Sequence, residues 1–175
     1  MKEKVKMEKW NAYTRDEKLT YTVLVRGEPI PEGLYHLACE VLIRHTDGDY
    51  LLMKRSTKKS DFGGMLEASA GGAALIGEDK YDCIEREMRE ECGLDGDDFI
   101  EVGRFVDDEK QLIVYSFFVV VDCPKDSVRF QEGETEGCLW VSESEFIDFV
   151  NSGRMIDRQR ARFDAFFRQM KYVKD

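Results

Sequence analysis

The stretch from Gly72 to Leu94, GAALIGEDKYDCIEREMREECGL, constrains this chain more than any other. It places Glu87, Glu90 and Glu91 within about a turn and a half of an expected helix, behind a glycine-containing approach loop. At about 100° per residue, Glu90 and Glu91 flank Glu87 on one stripe, because residues three and four apart are helical neighbours. Carboxylates so placed repel, and each disfavours ionisation of the next unless something positive sits among them. The opposite stripe, Tyr81, Ile84, Met88 and Cys92, is apolar and is expected to bury, which would leave the acidic side chains facing solvent.

A divalent cation answers that repulsion, and hard oxygen ligands without histidine or cysteine point to Mg²⁺ or Mn²⁺ rather than zinc. The spacing is specific: Gly72, five residues, Glu78, seven residues, then Arg86-Glu87-Met88-Arg89-Glu90-Glu91-Cys92-Gly93-Leu94. This run resembles the complete Nudix box, with every fixed position filled and aliphatic side chains at Met88 and Leu94. The resemblance implies an α/β fold, a Nudix α/β/α sandwich with a mixed sheet and a loop-helix-loop box. It also implies metal-dependent hydrolysis of a diphosphate bond in a nucleoside-diphosphate-linked or similar small molecule. With 36 acidic against 26 basic side chains and a formal charge of −10, the chain repels such a substrate at long range. Metal must then neutralise the phosphates and make water nucleophilic.

The resemblance also implies roles. Glu87 and Glu91, four apart on one side, are the expected metal ligands, and Glu90 is either a further ligand or the group that orients the attacking water. The carbonyl of Gly71, just before the box glycine, is expected to join the metal shell. Arg86 resembles the arginine that holds the glutamates in place, with Glu78 as its ionic partner. The general base is not part of the box, and Glu132, Glu134 and Glu136 are candidates by location before Trp140. Lys54, Arg55, Lys58 and Lys59 form a basic cluster that could clamp a diphosphate, with Arg55 favoured because it closes a strand aimed at the site.

A length of 175 residues and 42% hydrophobic content fit a single domain, 1–175, with 1–34 as an amino-terminal extension carrying a strand and 72–94 as the box. The five cysteines are odd in number and lack C-x-x-C spacing, so they read as reduced, mostly buried thiols. The opening MKEKVKMEKW lacks the apolar core of a signal peptide. The most apolar run, 112–121, is far short of the roughly 20 residues a membrane helix needs. A cytoplasmic protein without a membrane or polymeric nucleic-acid partner is expected.

Strands are expected at 18–25, 36–44, 50–55, 66–72, 99–107, 112–121 and 138–141, with Asp47-Gly48 marking a hairpin. Helices are expected at 79–92, 143–152 and 157–172. The last carries Phe163, Phe166, Phe167 and Met170 as a core or dimer stripe, with Arg158, Arg160, Arg162 and Arg168 on its other sides, partnering nearby acids. That stripe and the amino-terminal extension make a homodimer the expected assembly.

Trp10, Tyr13, the Arg26-Gly27-Glu28-Pro29 turn and Tyr35-His36-Leu37 resemble bacterial Nudix proteins related to type 1 isopentenyl-diphosphate isomerases. Aligned on Gly64 and Ser69, the isomerase cysteine falls at Gly71 and its following histidine at Ala73, so neither chemical group is present and His36 alone survives. Carbon acid–base chemistry then lacks its proton donor, and hydrolysis is the stronger expectation. A non-catalytic nucleotide-sensing module is the third reading, and the intact Glu87, Glu90 and Glu91 weigh against it.

Overall fold

Alternation assigns the two faces of the central sheet. In β3 (His36–His45), Leu37, Cys39, Val41 and Ile43 join one core and Leu42 the other; in β4 (Tyr50–Arg55), Leu51 and Met53 part from Tyr50 and Leu52 in the same way. Successive strand residues face opposite sides, so strands covered on both faces must be apolar almost throughout. The computed structural model describes residues 7–174; the part of the amino-terminal reading that rests on residues 1–6 lies outside them.

The Asp47-Gly48 turn joins β3 to β4 as expected, with Gly48 at φ 103° and the His45 N–H donating to the Asp49 carbonyl at 2.7 Å. The two strands share only the Arg44–Tyr50 register before they splay apart. Residues 66–73 fill the fork, not as the single expected strand but as two. β5 (Leu66–Ala68) pairs with β4, and β6 (Ala70–Ala73) pairs with β3. Ser69 makes the step: its hydroxyl donates to the Leu51 carbonyl at 2.8 Å and accepts from the Ile43 N–H at 2.9 Å, bonding both arms of the fork at once. On its other edge β3 runs parallel to β8 (Leu112–Val121), which pairs antiparallel with β7 (Ile100–Asp107). With β9 (Thr135–Val141) on β4, the result is a mixed sheet of seven strands.

Helices cover both faces. On one, α1 (Lys80–Cys92) buries Cys83, Ile84, Met88 and Cys92. Tyr81 does not join them; it sits at the edge of the stripe, 44% exposed, with Cys83 taking the inward position. On the other, α2 (Glu143–Asn151), α3 (Asp157–Arg162) and α4 (Asp164–Gln169) pack Phe146, Phe149, Phe163, Phe166 and Phe167. The helix expected at 157–172 is thus two, broken at Phe163, whose backbone (φ −90°, ψ 0°) turns its fully buried ring onto Phe167. Phe163, Phe166 and Phe167 of the aromatic stripe are taken up by the core, with Met170 packed at its margin. Exposed apolar side chains lie instead on β2 (Leu19–Val25), at Leu19, Tyr21 and Val23.

Phe146 is the keystone of this second core, fully buried and stacked on Tyr50 at 4.1 Å. Phe146→Ala is expected to destabilise the protein by about 3–5 kcal/mol, read as a lowered urea midpoint at unchanged slope; a loss under about 1 kcal/mol would contradict this packing.

A strand that the sequence reading missed, β1 (Lys9–Tyr13), pairs with β2 in a separate two-stranded sheet. Its Trp10 and Ala12 pack with Leu24 against Ala73 and Leu75, placing this hairpin beside the loop into α1. No helix of the described residues is long and apolar enough to cross a membrane, and all five cysteines are free.

Candidate active site

The start of α1 is fixed by reciprocal caps. Asp79 accepts from the N–H of Asp82 at 2.9 Å, while the Asp82 carboxylate accepts from the N–H of Asp79 at 3.1 Å. Gly93 ends the helix in the left-handed conformation at φ 66°. With both ends and the apolar stripe set, Glu87, Glu90 and Glu91 have defined directions.

Arg86 ties the segment together. Its Nε and Nη2 donate to the two oxygens of Glu78 at 2.6 and 3.0 Å, and Nη2 also donates to the Ala73 carbonyl at 2.9 Å. Its Nη1 donates to Glu87 at 2.7 Å and Glu90 at 3.1 Å. The Arg86–Glu78 partnership expected from the sequence is therefore present. Burial works against the Arg86 charge, but hydrogen bonding to Glu78 and the field of Glu87 prevail and raise its pKa. Glu78 is correspondingly lowered, Arg86 overcoming the cost of burial.

Glu87 and Glu91 do not face solvent as expected. Glu87 is buried, its carboxylate lying where a Cβ on Gly72 would come within 2.3 Å of Oε1. The absence of a side chain at Gly72 thus makes the recess for Glu87, whose pKa is raised by burial in spite of Arg86. Glu91 turns toward the sheet and accepts the N–H of Gly71 at 2.8 Å. Burial pushes its carboxyl up to about 8; the Gly71 N–H opposes this, and the nearby charges of Glu87, Glu67 and Glu134 reinforce it. Glu90 stays exposed beside Arg86. Among the described residues no three His, Cys, Asp or Glu side chains converge into a closed metal-holding cluster. Arg86 draws Glu87 and Glu90 one way, while the Gly71 amide draws Glu91 the other.

These groups line a cleft of two lobes that share Gly71, Gly72, Glu91, His36 and Leu112. The carboxylate lobe, about 400 Å³, adds Arg86, Glu87, Glu90 and Glu134. The other lobe, about 450 Å³, adds Glu40, Arg55, Glu67, Arg158 and Arg162. Volumes of this size suit a small molecule.

Other sequence candidates separate clearly. Of the basic cluster, Arg55 lines the cleft, held by Glu67 through two contacts of 3.1 and 3.0 Å; Lys59 instead pairs with Glu134. Glu134 reaches the carboxylate lobe, whereas Glu136 is occupied by the Ser56 hydroxyl and by the Thr57 hydroxyl and N–H at 2.7–3.1 Å. Glu132 is exposed and lines neither lobe. His36 stacks on Trp10 at 4.4 Å, and burial lowers its pKa to about 4, so it is neutral at physiological pH.

Sequence reasoning treated Arg158 and Arg162 as solubilising side chains and missed Glu40 and Glu67. Their four-residue spacing puts both arginines on one face of a helix, a signal that was available. That this face meets the cleft depends on α3 being laid against β5 and β7.

The sequence matches the NUDIX domain over residues 34–163. It is 28% identical to an uncharacterized Nudix hydrolase of Listeria monocytogenes over 150 residues, 86% of this chain and 89% of that protein. The fold is similar to a Deinococcus radiodurans protein, DR0079, with a TM-score of 0.65 at 19% identity, covering 84% of this chain and 91% of that one. It is also similar to the Nudix domain of a Shewanella oneidensis protein solved with ADP ribose, with a TM-score of 0.55 at 12% identity, covering 79% and 85%. The box motif, its arginine-centred geometry and the domain match together establish that this chain belongs to the Nudix family and is a hydrolase of pyrophosphate bonds in small molecules.

Proposed function

We propose that the carboxylate lobe performs metal-dependent hydrolysis of a nucleoside-diphosphate-linked or similar small molecule, with Mg²⁺ or Mn²⁺ held by Glu87, Glu90, Glu91 and the Gly71 carbonyl. The observation that carries this reading is Glu91, a half-buried carboxylate that accepts one N–H and has no cation within ion-pair distance among the described residues. A buried charge without a counter-charge is costly, and the donor set around it is all oxygen, which suits a hard divalent ion. Bound there, the ion supplies Lewis acidity toward phosphoryl oxygens and acidifies water.

The chain's own groups do the rest. Arg86, with its N–H groups directed at Glu78, Ala73, Glu87 and Glu90, positions the glutamates and has no donor directed at substrate. Glu90, exposed in the lobe, orients the attacking water. Glu134 is our choice of general base, because it lines this lobe whereas Glu136 is held elsewhere and Glu132 lies outside. The ADP ribose complex of the Shewanella oneidensis domain supports the nucleotide-linked class.

The test is a mass-resolved screen of nucleoside triphosphates, nucleotide sugars, dinucleotides and prenyl diphosphates with Mg²⁺ or Mn²⁺. Cleavage of a diphosphate linkage that EDTA abolishes is expected. Turnover that survives EDTA, or no cleavage in any class, would overturn the proposal.

A further inference from the structure

Beyond the edge at Gly71 and Glu91 that it shares with the carboxylate lobe, the second lobe takes no part in that chemistry, yet it gathers positive charge in a strongly acidic protein. Arg55 reaches it from the end of β4, Arg158 and Arg162 from successive turns of α3, and Lys110 from the β7–β8 turn. Two of the arginines are matched by carboxylates. Arg55 pairs with Glu67 at 3.0 Å. Arg162 pairs with the buried Glu40 at 3.4 Å, and Glu40 also accepts the Ser116 hydroxyl at 2.7 Å. Arg158 has no carboxylate within ion-pair distance among the described residues; its guanidinium lies over the Phe62 ring at 4.8 Å. Partial burial and the neighbouring charges of Arg162 and Arg55 lower its pKa against the opposing pull of Glu67 and Glu40.

The wall is built rather than incidental. Gln159, between the two arginines and itself buried, accepts the N–H of Ala68 at 3.0 Å and fastens α3 to β5. Gly103 lets the Arg162 carbonyl approach β7 so closely that an added Cβ would lie 2.8 Å from it. Arg162 keeps its Nε buried without a hydrogen-bond partner. The lobe is lined by four guanidiniums, of Arg26, Arg55, Arg158 and Arg162, and by Lys110, against three carboxylates, of Glu40, Glu67 and Glu91; holding that surplus of positive charge in one cavity is unfavourable unless an anion completes the set.

We propose that Arg158, flanked by Arg55 and Arg162, forms a phosphate subsite that receives a phosphate monoester of the substrate, separate from the diphosphate handled in the carboxylate lobe. A planar carboxylate is satisfied by one guanidinium fork, whereas a tetrahedral dianion accepts donors arriving from several directions, as they do here from β4 and α3. The substrate is then a diphosphate-linked molecule with a further phosphate group. That identification rests on the hydrolase reading; the anion site itself does not.

The experiment is calorimetric titration in EDTA, where no turnover occurs, with inorganic phosphate and with the pairs NADPH/NADH and coenzyme A/dephospho-coenzyme A. Wild-type protein is expected to bind inorganic phosphate, and to bind the phosphate-bearing member of at least one pair about tenfold or more tightly than its partner. Arg158→Ala should lose both effects and Arg158→Lys should restore part of them, with melting temperatures unchanged because Arg158 is exposed at the cleft. Absence of phosphate binding by wild-type protein, equal affinities within both pairs, or discrimination that persists in Arg158→Ala would overturn the subsite. If Arg158→Ala weakens both members of a pair equally, the arginines grip the diphosphate instead and the proposal fails. Because no step requires hydrolysis, these outcomes are independent of the metal-dependent screen.

Discussion

Glu91→Gln is expected to cut turnover by about a thousandfold or more, some 4 kcal/mol of transition-state stabilisation, while leaving the fold at least as stable. The glutamine keeps an oxygen to accept the Gly71 N–H, so the local hydrogen bond survives and the charge that would hold metal is lost. The same group sets a pH dependence in metal-free protein. Its carboxyl is raised to about 8 in the folded chain, against an ordinary 4.5. Between those values the folded state retains a proton that the unfolded state has released. This contribution to stability is therefore full below the ordinary value and disappears as pH rises through the raised one. In EDTA the wild-type melting temperature should fall from about pH 5.5 to about 8.5 more steeply than that of Glu91→Gln. Mg²⁺ or Mn²⁺ at about 100 times its dissociation constant should restore about 2.7 kcal/mol to wild-type protein, on the order of 5–10 °C, and much less to the variant. Normal turnover by Glu91→Gln, or a wild-type melting temperature that climbs relative to the variant across that window, would remove Glu91 from the site.

The two glycines before the helix should respond to alanine in opposite ways. At Gly72 the nearest atoms to a new Cβ would be those of the Glu87 carboxylate, at 2.3–2.7 Å. A side-chain tip can move, so Gly72→Ala should fold, displace Glu87 from Arg86, and lose about a hundredfold in turnover, the scale of a misplacement of about 1 Å in a catalytic group. At Gly71 the Cβ would lie 2.6 Å from the Cys39 carbonyl oxygen and 3.0 Å from the Glu40 Cα, both backbone atoms. Gly71→Ala must push β6 from β3, and a loss of about 1–3 kcal/mol in stability is expected. Parallel denaturation curves and initial rates separate the two. Equal stability losses, or full activity in Gly72→Ala, would show that Glu87 is not seated on Gly72.

What could be read in the sequence was what local periodicity controls. The α1 register, its acidic stripe and the Glu78–Arg86 partnership follow from spacing and from the box, and the Asp47-Gly48 hairpin follows from turn chemistry. Features that depend on distant partners were not legible. Ser69 splits a strand only because β3 and β4 diverge beside it, and Phe163 breaks a helix only because its ring is wanted in the Phe146 core. Glu87 reads as a surface charge until the bare backbone of Gly72 is seen beneath it. Likewise, the i,i+4 pair Arg158 and Arg162 looks like solvent-facing charge until α3 is laid against β5 and β7. In each case local preference was overruled by tertiary contact.

Ser69 carries one more consequence. Because a single hydroxyl bonds to Ile43 on one strand and Leu51 on the next, the distance along the chain from this residue to Gly71 and Gly72 cannot change without unseating Glu91 and Glu87. The segment after Ala73 is itself held, by Ala74 to Leu37 and by Ile76 to Lys9, and leads through Glu78 into α1, whereas among the described residues no single side chain ties the segment before Leu66 to two strands in this way. Descendants of this chain could lengthen or replace that flank, and so trade one substrate for another, while the reacting end stays in step with a two-residue count.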